Sequence, residues 1–320
     1  MIAAIAIGRN EGARLVQCLD SLQGRVGRIV YVDSGSTDGS VAMARARGVE
    51  VVELDMTKPF TAARARNAGL DQLRTGEAPE FVQLVDGDCE VRPDWIDTAW
   101  RFLQDNPEVA VVCGRRRERF PEASVYNAHC DREWNTPVGE ALACGGDALM
   151  RMAALDQVGG YNPGLIAGEE PEMCVRLRQK GWKIWRLDAE MTLHDAAMTR
   201  FSQFWKRARR AGHAYAEGAH MHGAPPEGHF VQETKRAALW GLALPVAIVL
   251  LALIVSPWCL LLALIYPAQI ARIARRSGGG KAAWEEATLL TLGKFAEGLG
   301  VAEFHLRRLT GKRAGLIEYK

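Results

Sequence analysis

The 320-residue chain has seven cysteines, an odd number, and no two stand in a C-x-x-C pair. This excludes a disulfide framework and a cysteine zinc site, and it points to a reducing compartment. Neither GxGxxG nor GxxxxGK[ST] occurs, so the dinucleotide fingerprint and the P-loop are both missing. The seven histidines form no HExxH, which removes the commonest helical zinc motif. The N-terminus has no basic region, and its apolar stretch is too short for a secretory signal; MIAAIAIG reads as a first strand. Charge is nearly balanced at +2, yet residues 200–320 carry +9 and the first 199 carry −7. A basic tail suits nucleic acid or an anionic membrane. The same tail holds a long apolar run, so the expected partner is membrane lipid and not nucleic acid. Hydrophobic and charged contents of 48% and 24% are those of a folded chain.

What is present begins with Phe81–Val91, FVQLVDGDCEV. Phe81, Val82, Leu84 and Val85 suit a buried strand, and the run stops on Asp86 and Asp88 with Gly87 between them. Carboxylates at such a strand end face the crevice where open α/β sheets bind ligands. Gly87 allows the bend that brings both toward one hard cation; Asp-Gly is also a common turn dipeptide. Ahead of this stretch, Ile2–Ile7 ends in Gly8-Arg9-Asn10-Glu11-Gly12. Arg28–Val32 ends in Asp33-Ser34-Gly35-Ser36-Thr37-Asp38-Gly39, and Val49–Leu54 follows as a third strand. Helical patterns alternate with these strands, which predicts βαβ units and an α/β fold with a largely parallel sheet.

The ordered series GRNEG, VDSGSTDGS, RARNAG and VDGD continues through CGGDALMR (Cys144–Arg151), VGGYNP and GEEPEMCVRLRQKGW. It resembles the family 2 glycosyltransferases over about the first 210 residues. The resemblance implies the GT-A nucleotide-diphospho-sugar transferase fold, a Rossmann-like sheet with helices on both faces, and inverting transfer from a nucleotide-diphospho-sugar donor. It also implies a DXD motif, with Asp86 toward ribose or metal and Asp88 on a Mg²⁺ or Mn²⁺ cofactor. His194 falls where a third ligand often stands; a lone histidine is also commonly structural. Ile7, Gly8, Arg9, Asn10, Glu11, Asp33, Ser34 and Gly87 would line the nucleotide, although Asp33 and Asp38 also suit a capped turn. Many relatives have a second acid where this chain has Ser34. Arg66 and Asn67 match a basic–Asn pair that reaches donor phosphates; an exposed helix face is the other reading. Glu170 stands where the family has its catalytic base, usually Asp, with Glu169 and Glu172 in support. Acids before Pro171 equally suit a helix start. Asp147, Arg207 and Arg210 are candidate diphosphate or acceptor contacts. Ala211 replaces the Trp of processive synthases.

Four histidines between His213 and His229 lie among Gly, Ala and Pro and predict a loop or linker. Residues 237–271 contain no charged side chain. These 35 residues would extend roughly 52 Å as a helix against a membrane core of about 30 Å. Ser256-Pro257 divides the run, and basic residues flank both ends, which predicts a hairpin with both ends cytoplasmic; the alternatives are one tilted, kinked span or a soluble hydrophobic helix pair. The expected organisation is a catalytic domain over 1–212, a linker over 213–234, a membrane-embedded hairpin over 235–276 and an amphipathic tail over 277–320. The expected protein sits on the bacterial inner membrane with its catalytic domain in the cytoplasm. It transfers sugar to a saccharide or lipid-linked acceptor in envelope or exopolysaccharide synthesis. Polyprenyl phosphate as acceptor is a second expectation, and a catalytically silent nucleotide-sugar-binding scaffold is the reading from another class.

Overall fold

The computed structural model describes residues 1–311. Strand β1 (Ile2–Gly8) is apolar along its length and buried through its middle, because it is a central strand with neighbours on both edges. Strands β2 (Arg28–Asp33), β3 (Glu50–Glu53) and β4 (Phe81–Asp86) join it in the order β3-β2-β1-β4, all parallel. The register sets Gly8 opposite Asp33 and Ile7 opposite Asp86. Three motif-bearing strand ends therefore finish level at one edge of the sheet. Beyond β4 the directions mix. Strands β5 (Cys89–Val91), β6 (Val109–Glu118), β7 (Gly139–Ala141), β8 (Ala148–Arg151) and β9 (Lys183–His194) complete nine strands among the described residues. β8 is antiparallel to β4 and to β6, β6 is parallel to β9, and β5 and β7 run antiparallel to β9. The expected largely parallel sheet thus holds for the first four strands and is corrected to a mixed sheet beyond them. Parallel neighbours need crossover connections, and β8 is reached through the long excursion 119–147 instead.

The chain divides into two compact units, Met1–Pro121 with Cys130–Ala197, and Glu122–His129 with Met198–Lys320. In the first, Leu15, Leu19 and Leu22 of helix Ala13–Leu22, Leu70 and Leu73 of helix Ala62–Arg74, and Trp95 and Ile96 of helix Trp95–Asp105 bury against the sheet. Gln83, the one amide in the apolar run of β4, is fully buried and satisfied. It accepts from Trp95 Nε1 at 2.8 Å and donates to the Leu84 carbonyl at 2.8 Å. A buried amide without partners would cost a few kcal/mol; paired, it is neutral to favourable.

The second unit is helical. Helix Phe201–His222 runs through His213, His220 and His222, so the expected linker over 213–234 is corrected: among those residues only 223–230 lie outside helices. Helix Val231–Ala238 continues through a π-helical turn, Leu239–Ala243, into Leu244–Ile254. Ser256 caps the 3₁₀ stretch Pro257–Leu264, which leads into helix Ile265–Arg276. The two segments Val231–Ile254 and Pro257–Arg276 are long and apolar enough to cross a membrane, and Leu253, Ile254 and Trp258 near their turn are more than three-quarters exposed.

Residues Lys281–Thr310 form one unbroken helix, so the expected amphipathic tail is instead a packed element of this unit as far as residue 310; residues 312–320 lie outside the described residues. Of the glycines that lower its intrinsic helicity by about 1 kcal/mol each, Gly298 and Gly300 are where neighbouring backbones touch it, and Gly212 and Gly241 of its neighbours meet its own backbone in return. A Cβ on Gly300 would lie 2.1 Å from the Arg209 carbonyl oxygen; one on Gly212 would lie 2.0 Å from that of Glu297, and one on Gly241 1.9 Å from that of Lys294. Only glycine lets helices approach this closely.

Candidate active site

The turn after β4 is fixed from behind. Gly87 donates its N–H to the Ile7 carbonyl at 2.8 Å, and a Cβ there would sit 3.0 Å from that same oxygen. The glycine is needed for this close approach, which draws the Asp86–Asp88 turn against the end of β1. Asp86 then projects into a cluster of charges. Its Oδ1 accepts from Arg66 Nη2 at 2.9 Å, and its Oδ2 lies 3.2 Å from Arg116 Nη2. Its backbone N–H donates to Asp147 Oδ1 at 3.1 Å.

Arg66 is the centre of this cluster. It is nearly inaccessible, on helix Ala62–Arg74, and the same guanidinium that holds Asp86 gives Nη1 to Glu169 Oε1 at 2.9 Å and to Glu170 Oε1 at 2.8 Å. Burial opposes its charge, and the three carboxylates outweigh that, so Arg66 stays ionised. Glu169 and Glu170 open helix Glu169–Gln179 behind Gly168, whose φ of +80° is favourable only for glycine. Burial pushes Glu170 up to about 7, with Glu169 and Asp86 adding to the rise and Arg66 opposing it. Gly146 leaves room for the cluster: a Cβ there would lie 2.7 Å from Arg66 Nη2 and 2.8 Å from Asp86 Oδ2.

Asp88 turns toward β9. Its Oδ2 lies 3.5 Å from His194 Nε2, and His194 pairs with Cys89 across the β5–β9 ladder. The separation is long for a hydrogen bond. It is about half an ångström wider than the gap between neighbouring ligands of one small cation, about 3 Å for bonds of about 2.1 Å at right angles. Burial holds His194 below the ordinary imidazole value, so the ring is neutral and able to ligate. Asp88, Cys89 and His194 form one cluster of convergent donor atoms; Asp86, Cys89 and Asp147 form another. Burial keeps Cys89 a thiol, which leaves carboxylate and imidazole as the donors suited to Mg²⁺ or Mn²⁺.

The remaining expected contacts fall in several places. Asp33 is buried, with Oδ1 accepting from Tyr31 Oη at 2.8 Å and Oδ2 from the N–H groups of Gly35 and Ser36 at 2.9 and 2.8 Å. Ser34 is fully buried beside it, its N–H bonded to the Gly8 carbonyl at 3.0 Å. Asn10, at φ +58°, accepts from the Thr37 N–H at 2.7 Å and ties the first loop to the second. Arg9 is exposed at the same rim, and Glu11 pairs with Arg14 at 2.7 Å. Both ends of the Asn67 amide grip the Tyr161 backbone, at 2.7 and 2.9 Å. Glu172 is held by Arg176 at 2.9 and 2.7 Å. Asp147 is wholly buried; it accepts from Arg116 Nε at 2.9 Å and Thr192 Oγ1 at 2.7 Å as well as from the Asp86 N–H. Arg207 and Arg210 lie on helix Phe201–His222 of the second unit.

Three site residues escaped the sequence reading. Arg116 and Glu118 sit in the run Arg115-Arg116-Arg117-Glu118-Arg119, which looks like a solvated charge stretch. Placed on a strand, the alternate members point one way, and Arg116 and Glu118 are the two that reach Asp86 and approach His194. Trp134 packs edge-on to His194 at 4.8 Å and beneath the Arg116 guanidinium at 5.4 Å.

Comparison with known proteins agrees with this architecture. Residues 5–159 match the model of glycosyl transferase family 2. The succinoglycan biosynthesis protein ExoA of Rhizobium meliloti is 25% identical over 213 residues, 62% of this chain and 64% of that protein. The glucosyl-dolichyl phosphate glucuronosyltransferase of Haloferax volcanii is 25% identical over 135 residues, 36% of this chain and 43% of that protein. The chain therefore spans less than two thirds of the length of either relative. Among solved structures, the mannosyltransferase PcManGT from Pyrobaculum calidifontis, in complex with GDP-Man and Mn²⁺, superposes with a TM-score of 0.66 at 21% identity, over 94% of this chain and 86% of that one. The motif series, the sheet order and the matched segment agree: the fold is GT-A, and residues 5–159 are similar to the glycosyltransferases of family 2.

Proposed function

We propose that this protein is a metal-dependent, inverting glycosyltransferase that moves a sugar from a nucleotide-diphospho-sugar to a hydroxyl of a saccharide or lipid-linked acceptor. The observation that carries the reading is the Arg66 bridge, which ties an acid at the strand-end turn, Asp86, to the paired acids Glu169 and Glu170 at a helix start. Sugar transfer needs such a pairing: one side that stabilises a departing diphosphate and another that accepts a proton. Asp88 and His194 are the residues that would hold Mg²⁺ or Mn²⁺, and a divalent cation there offsets the charge growing on the diphosphate. Glu170 takes the proton of the acceptor hydroxyl as that oxygen bonds to the anomeric carbon. The bond from that carbon to the diphosphate oxygen breaks, and its electron pair leaves with the diphosphate. Attack from the face opposite the leaving group inverts the anomeric centre. Asp86, Asp33 and the loops around Arg9 and Ser34 bind the nucleotide, while Asp147 and Arg116 hold Asp86 in place.

The two apolar segments Val231–Ile254 and Pro257–Arg276 support attachment to a membrane. We place the enzyme on the bacterial inner membrane with its catalytic unit in the cytoplasm, where nucleotide sugars are made. The cationic side chains Lys206, Arg207, Arg209 and Arg210 on helix Phe201–His222 suit contact with anionic lipid or a lipid phosphate. Envelope or exopolysaccharide assembly is the role that fits such an acceptor.

The test is release of nucleoside diphosphate from a panel of nucleotide sugars by the full chain in detergent, with Mn²⁺ and a membrane lipid extract. One donor should be consumed in a Mn²⁺-dependent way, and Asp88→Ala should abolish that consumption with the fold intact. A chain that binds a nucleotide sugar yet neither hydrolyses nor transfers it would be a binding scaffold, and the proposal would fail.

A further inference from the structure

Strands β6 and β9 run parallel in a register that sets Glu118 directly opposite His194. The Glu118 carboxylate is buried and fixed without help from the histidine: Oε1 accepts from the Phe120 N–H at 3.1 Å and Oε2 from the Ala196 N–H at 3.0 Å. That Oε2 stands 3.7 Å from His194 Nδ1, a buried nitrogen with no hydrogen-bond partner. The other ring nitrogen faces Asp88 at 3.5 Å, and the edge-on Trp134 limits rotation of the ring.

A neutral imidazole has one N–H and one lone pair. With the proton on Nε2, the Nδ1 lone pair would face the fixed Glu118 carboxylate at 3.7 Å, two electron-rich groups turned toward one another. With the proton on Nδ1, the N–H dipole points at Glu118, and the Nε2 lone pair is presented beside Asp88 Oδ2. Metal-binding histidines are commonly oriented by a carboxylate in this way, and loss of that partner typically weakens binding 10–100-fold. We infer that Glu118 is a positioning residue: it selects the Nδ1–H tautomer of His194 and so aims Nε2, together with Asp88, at a hard divalent cation. This inference rests on the metal site proposed above, and its test separates the two.

Mn²⁺ alone is titrated into the full chain in detergent by electron paramagnetic resonance, and spin-echo modulation reads whether an imidazole nitrogen is bound. In the native protein the nitrogen modulation should be present, and His194→Ala should remove it. Glu118→Gln should weaken Mn²⁺ binding 10–100-fold and diminish the modulation. It should have no further effect in the His194→Ala background. Glu118→Asp, which keeps the charge with a shorter reach, should fall between the native protein and Glu118→Gln. If Glu118 only ties the turns at Phe120 and Ala196, Glu118→Gln will weaken Mn²⁺ equally with and without His194, and the inference is overturned. Binding within twofold of native, with full modulation, overturns it as well. Native-like modulation in His194→Ala would instead remove His194 from the metal site and take both readings with it.

Discussion

Arg66 and Glu170 meet at 2.8 Å in a site where the same guanidinium also holds Asp86. A carboxylate paired with a shared cation remains partly uncompensated, and burial raises Glu170, the proposed base, to about 7. The rate of transfer should therefore rise with pH along a limb centred near 7. Glu170→Gln should lower turnover by about 10²–10⁴-fold and abolish that limb, with donor affinity nearly unchanged. The stability sign is opposite to that of an ordinary salt-bridged acid. The folded state binds the proton more tightly than the unfolded one, so stability contributed by Glu170 falls as pH rises from about 4.5 through about 7. Melting temperatures of the native protein and Glu170→Gln across that window should diverge as pH rises, with the variant the less pH-sensitive. Equal slopes would refute the assignment.

Gly146 tests the cluster from another side. Its replacement by alanine places a methyl carbon 2.7 Å from Arg66 Nη2 and 2.8 Å from Asp86 Oδ2, well inside contact distance. Gly146→Ala should displace the Arg66–Asp86 pair and lower kcat/KM at least tenfold, while the melting temperature changes by only a few degrees. A variant with native kinetics would show that the pair is not needed for the chemistry.

In the second unit, Gly300→Ala should destabilise by about 1–3 kcal/mol or more, because its new carbon would lie 2.1 Å from the Arg209 carbonyl, a backbone atom that cannot swing aside. Gly279→Ala, where nothing lies within 4 Å but φ is +72°, provides a control whose cost is conformational alone, about 1 kcal/mol. Thermal unfolding in detergent compares them, and the packing account requires the larger loss at Gly300.

Topology is the fourth expectation. Lys235 and Arg276 flank the apolar pair of segments. Cysteines placed there, in a background lacking Cys259, the one cysteine among the described residues that is not buried, should label from the same side of sealed vesicles. Labelling from opposite sides would replace the hairpin with a single crossing.

The first four strands were legible because a buried parallel strand is written as an unbroken apolar run with polar punctuation at its carboxyl end. Phe81–Asp86 and Ile2–Gly8 follow that rule closely. Asp88 came from the motif series and His194 from its place after a later apolar segment; they are 106 residues apart, and the structure brings them to 3.5 Å. Glu118 was hidden because its meaning depends on which strand lies beside β6, a non-local fact that no period in RRRER encodes. Asn67 illustrates the converse. Its neighbour in sequence is the arginine of the cluster, yet its own amide is consumed by the backbone of Tyr161, 94 residues away. The glycines of helix Lys281–Thr310 weaken a helix by local propensity, and only their tertiary contacts explain their presence.

The hydrogen bond from Gly87 to Ile7 has a consequence for which donors can be used. It ties the turn bearing Asp88, the acid proposed to hold the cation, to β1, whose end carries the loop proposed to bind the nucleotide. The proposed site then works as a fixed gauge between base and cation. A donor bound at both marks would have to span them through its phosphate linkage. Donors would be selected by the length of that linkage before the sugar itself is ever examined.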